Sequence, residues 1–72
     1  MEADKFLKKF DECLQNFRKV QHETADDSDL AHFMDPKLKK FLKDNKKLVD
    51  LMFSMRSLLP FQKLVTGYIW KE

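Results

Sequence analysis

Residues 35–60 read DPKLKKFLKDNKKLVDLMFSMRSLLP. Asp35 is a good helix N-cap, and Pro36 suits the first turn, where a backbone N–H has no intrahelical partner. Between Pro36 and Pro60 the residues Leu38, Phe41, Leu42, Leu48, Val49, Met52 and Met55 recur at helical steps, with Asn45 the one polar residue in their stripe. The spacing predicts a helix over about 36–58. Pro60 then either kinks that helix or starts a new one, because it has no N–H to offer the preceding turn.

The same period continues on both sides. Ala3, Phe6, Leu7, Phe10, Cys13, Leu14, Phe17 and Val20 form one stripe of a first helix over about 3–22, with Asp4/Lys8 and Lys8/Glu12 placed to pair. Phe61, Leu64, Val65, Tyr68 and Ile69 repeat the spacing in a third, shorter helix over about 60–71, which Gly67 weakens by roughly 1 kcal/mol relative to alanine. Residues 23–35 carry Glu23, Asp26, Asp27, Asp29 and Asp35 without a lysine or arginine. They read as an acidic loop with one short helical turn through LAHFM, capped by Ser28 or Asp29. One glycine and two prolines are too few turn residues for a hairpin-rich sheet. The expected class is all-α: an antiparallel helical hairpin crossed by a third helix, a small three-helix bundle completed by dimerisation.

The length supports that last clause. A chain of 72 residues is a single domain with a marginal core, and such chains need a staple, a partner or very regular packing. Cys13 is the only cysteine, so no intrachain disulfide forms; on the apolar stripe it reads as a small core residue. The opening MEADKFLKKF has early acids and no continuous apolar run, and the longest uncharged run, LVTGYIW, is far below the ~20 residues of a membrane span. A soluble, cytoplasmic chain is expected.

The lysines raise the question of an anionic partner. Segment 37–47 holds six lysines against Asp44, although the whole chain is only +2. On a continuous helix Lys39, Lys40, Lys43, Lys46 and Lys47 share an arc of about 120° opposite the apolar stripe. A solvated outer face explains most of this. However, lysines in the first turns oppose the helix dipole and repel one another at i,i+4, which a negative partner would relieve. An acidic protein surface or an anionic lipid layer fits. Nucleic acid fits less well, because the face has neither aromatics for stacking nor arginine for base reading.

Beyond Lys47 the helix changes character. Residues 48–59, LVDLMFSMRSLL, are apolar on nearly every side, and a helix of that kind needs cover on every side. So short a chain has little cover to give. Leu51, Met52, Phe53, Met55, Leu58, Phe61 and Trp70 are therefore the expected interface of a non-catalytic protein-interaction or oligomerisation module, adaptor or scaffold in type and homodimeric. Burying three such side chains contributes on the order of 5–9 kcal/mol before association costs.

Nothing points to an enzyme, a metal or a cofactor. The acidic segment lacks the glycine and closing glutamate of an EF-hand, and His22 and His32 have no zinc-site spacing. The first two helices echo each other, with KFLKKFDECLQNF from Lys5 lying over KFLKDNKKLVDLM from Lys40. Two units are too few for a solenoid. The echo does set Asn45 where the first helix has Phe10, a polar residue inside an apolar seam. Such a residue either specifies register or marks a point where the helices diverge.

Overall fold

The computed structural model describes residues 2–23 and 26–71. It is all-helical, with α1 Glu2–Glu23, α2 Asp27–Phe33, α3 Pro36–Asp44, α4 Lys46–Met55 and α5 Leu59–Leu64, followed directly by a π-helical turn, Val65–Ile69. Among the described residues the three expected helices thus become five and a turn. Within the expected acidic loop, the short turn through LAHFM is a longer helix that starts earlier, Asp27–Phe33. The helix expected over 36–58 breaks at Asn45 and ends at Met55, and the expected third helix changes its winding at Val65.

Each boundary has a local cause. Asp26, not Ser28 or Asp29, caps α2: its Oδ1 accepts the Ser28 N–H at 2.8 Å. Asp35 caps α3 as its sequence suggests, accepting the Lys37 N–H at 2.8 Å with Pro36 in the first turn. Its own N–H donates to Asn16 Oδ1 at 3.1 Å, which ties the start of α3 to α1. Arg56 is extended at the end of α4, ahead of Pro60, whose missing N–H could not continue the ladder; Pro60 instead lies in the first turn of α5. In the last segment the Thr66 hydroxyl donates to the Gln62 carbonyl at 2.9 Å, and the Trp70 N–H bonds Val65 O at 2.8 Å, five residues back. Such back-bonding bends helices, and the i→i+5 bond is the π signature.

Asn45 sets the topology. Phe6 meets Phe41 and Asn16 meets Asp35, so α3 runs antiparallel to α1. A straight helix would then carry Phe53 about 18 Å beyond Phe41, past the N-terminal end of α1. Instead Asn45 adopts φ −115°, ψ 36°, and α4 folds back until the Phe53 ring lies 6.1 Å from that of Phe10. The Asn45 Nδ2 donates to the Phe41 carbonyl at 3.0 Å. In a continuous helix the Leu42 carbonyl would meet the Lys46 N–H; here it accepts the indole N–H of Trp70 at 3.1 Å. The polar residue in the seam is thus a corner, half-buried and hydrogen-bonded.

The core lies between α1 and the other elements. Phe10, Phe17, Phe53 and Phe61 form its centre, with Phe61 5.3 Å from Phe17, 5.8 Å from Phe53 and 6.0 Å from Phe10. Leu30, Met34, Leu38, Leu42, Val49, Leu64, Val65 and Ile69 surround them. No buried side-chain nitrogen or oxygen among the described residues lacks a partner.

Cys13 is fully buried on α1, its Sγ 3.8 Å from the Leu38 carbonyl. Loss of solvation pushes its thiol up from 9.0 to about 12; Glu12 and Asp35 add to this and Lys9 opposes it. Because the folded-state value is the raised one, this stability is complete below the unfolded value and is lost as pH rises from 9.0 towards about 12. Urea unfolding of the wild type should therefore weaken across that alkaline window more steeply than unfolding of Cys13→Ala. Equal pH slopes for the two proteins would contradict the burial.

Candidate interaction surface

The residues expected at the interface separate into three groups. Phe53 and Phe61 are 5% and 1% exposed, so both are core residues and their place in an exposed patch is corrected. The bend at Asn45 brings Phe53 onto Phe10, and the new helix start at Pro60 brings Phe61 beneath both. Met52, Leu58 and Trp70 are half-buried against the core. Leu51 and Met55 stand out at 53% and 72% exposure.

A third side chain joins them. Leu48, which belongs to the core stripe of an unbroken helix, is 49% exposed. Leu48, Leu51 and Met55 lie three and four residues apart, so they form one apolar strip along α4. The arc next to it holds the core residues Val49 and Phe53, with Met52 at the border. Lys46, Lys47, Asp50 and Ser54 fill the remaining arc. Val49 and Leu48 are neighbours in sequence, and only the direction of the bend decides which of them is covered.

The strip continues into an open groove of ≈ 450 Å³ between α1 and the α3–α4 corner, lined by Lys5, Phe6, Lys9, Phe41, Asn45 and Leu48. A second, smaller groove of ≈ 200 Å³ lies where the α4–α5 connection crosses α1, lined among others by Leu14, Phe17, Arg18 and Leu58. Leu7 and Tyr68, which their spacing places on the apolar stripes, are exposed instead, as are Phe33 and Leu59, which belong to no stripe.

The lysines do not share one helical face. The break at Asn45 places Lys39, Lys40 and Lys43 on α3 and Lys46 and Lys47 on α4. The single arc assumed an unbroken helix. Lys39 is half-buried, and Lys46 holds its Nζ 5.3 Å from the centre of the Trp70 ring. Among the described residues the ion pair on α1 is Lys9–Glu12 at 3.6 Å, an exposed contact of small energetic weight, in place of Lys8 with Asp4 or Glu12.

Among the described residues, no group of histidine, cysteine or acidic side chains is arranged to hold a metal, and no helix is long and apolar enough to cross a membrane. Comparison with protein-family models, curated proteins and solved structures found no match.

Proposed function

We propose that this chain is a non-catalytic association module whose contact face is the strip Leu48, Leu51 and Met55 of α4, and that its occupant is the same strip of a second copy. The observation that carries the reading is three large apolar side chains on one helix face, each about half exposed or more. The polar side of α4 beside the strip carries both signs, with Lys47 next to Leu51 and Asp50 beyond Ser54, and this supports self-association over a charged partner. A rim of mixed sign favours neither an acidic nor a basic surface, whereas two copies related by a twofold axis meet with like composition.

Magnitudes set the kind of association. Six half-exposed side chains from two copies contribute on the order of 5–9 kcal/mol on burial. Association itself costs roughly 4–15 kcal/mol. The balance is a weak, concentration-dependent dimer rather than an obligate one. An anionic membrane or nucleic acid draws less support, since the bend divides the lysines and the Trp70 ring engages one of them.

Sedimentation equilibrium across a concentration series tests the reading. The wild type should gain mass towards the dimer as concentration rises to about 1 mM, as the weak balance above implies. Leu51→Glu should remain monomeric with unchanged helical circular dichroism, because Leu51 lies outside the core. A wild type that stays monomeric throughout, or a variant that dimerises as the wild type does, would refute the assignment. Phe53→Glu is unsuitable for this purpose, as it would place a charge in the core.

A further inference from the structure

A second kind of site lies where α2, α3 and the π-helical turn meet, independent of the α4 strip. A pocket of ≈ 200 Å³ is lined there by Ser28, Ala31, His32, Lys39, Tyr68 and Ile69. Ser28 and His32 are four residues apart on α2 and share a face. Lys39 comes from α3, and Tyr68 from the π-helical turn. That turn buries Val65 and Ile69 while leaving Tyr68 at the pocket. Helical segments with this winding recur at functional sites.

The lining has one chemical character. A hydroxyl, an imidazole, an ammonium and a phenol can each donate a hydrogen bond. No carboxylate lines the pocket. Asp27 and Asp29 flank Ser28 on α2, about 100° to either side of it, so they border the site. Lys39 is half-buried and makes no ion pair among the described residues. The floor is apolar, with Ile69 buried and Ala31 half-buried.

We propose that this pocket binds a phosphoryl group, as free phosphate or as a small phosphomonoester. Donors arriving from three elements surround a tetrahedral anion. A planar carboxylate is better served by an arginine fork, and no arginine is present here. Size points the same way. Pockets for drug-sized ligands run from about 300 Å³ upwards. This one suits a single phosphoryl group with few further atoms.

The test is a titration of the intact chain, followed by amide NMR at constant ionic strength, with inorganic phosphate and separately with O-phosphoserine. Saturable shifts confined to the amides around Ser28, His32, Lys39 and Tyr68 are expected with at least one of the two. Saturation by phosphate alone identifies the free ion as the ligand. Saturation by O-phosphoserine alone identifies the ester. Lys39→Gln should weaken binding about tenfold and Tyr68→Phe roughly threefold, as expected for a charged and a neutral donor, with the spectrum otherwise that of the folded wild type. Shifts that grow linearly without saturating would overturn the proposal. So would shifts of equal size at Lys5, Lys9 and Lys47, or a Lys39→Gln protein that binds as the wild type does.

Discussion

Phe61→Ala should unfold most of the protein at room temperature. Phe61 is 1% exposed and touches Phe10, Phe17 and Phe53, so it joins α1, α4 and α5 at one point. Truncating a buried phenylalanine costs about 3–5 kcal/mol, combining lost transfer energy with the cavity left behind. A chain of 72 residues holds roughly 4–11 kcal/mol at the usual stability per residue, and small domains lie at the low end. The loss is therefore of the same size as the whole. Far-UV circular dichroism with urea titration reads it directly. Leu59→Ala, two residues away and 59% exposed, should change stability by no more than about 0.5 kcal/mol. A Phe61→Ala protein with nearly wild-type stability would mean that the aromatic cluster is not the centre of the fold.

Trp70→Ala should be nearly as damaging, for a different reason. The indole packs 6.1 Å from the Phe53 ring, donates to the Leu42 carbonyl at 3.1 Å and carries Lys46 Nζ 5.3 Å from its ring centre. It therefore touches both sides of the corner at Asn45. Removing it forfeits the packing and leaves the Leu42 carbonyl without its donor. Together these should cost about 3–5 kcal/mol. Trp70→Phe separates the two contributions: it keeps most of the apolar contact and should lose about 1–3 kcal/mol, the cost of an unmet buried acceptor. Hydrogen exchange around residues 42–49 should accelerate in both variants. If Trp70→Phe matched the wild type in both stability and exchange, the indole bond would have no role in holding the bend.

Much of this was open to inspection in the sequence. The stripe on α1 contains its buried residues Phe10, Cys13, Leu14, Phe17 and Val20. Asp35 and Pro36 begin a helix because one side chain accepts a first-turn N–H and the other residue has none to satisfy. The surplus of apolar side chains after Lys47 is present in part: Leu51 and Met55 remain uncovered. Which members of that surplus would be covered was not readable. Phe53 and Leu51 are chemically equivalent candidates on the same short helix, yet one is core and the other surface. The helical wheel used to sort them presumed a straight axis, and one residue at φ −115°, ψ 36° rotates everything after it. The only advance sign was Asn45 itself, opposite Phe10 in the echo between the two helices.

The sequence by itself determined the helical class, the N-cap at Asp35 with Pro36 behind it, the burial of Cys13 and the excess of apolar surface near residue 50. These follow from local propensities and from a period of 3.6, which act over a few residues. The tertiary structure alone decided that α4 folds back onto α1, that Leu48 and not Val49 faces out, and that Trp70 closes the corner. Those outcomes depend on contacts such as Phe10 with Phe53 and Trp70 with Leu42, far apart along the chain. No local window contains both partners, so only the folded chain could choose between the alternatives.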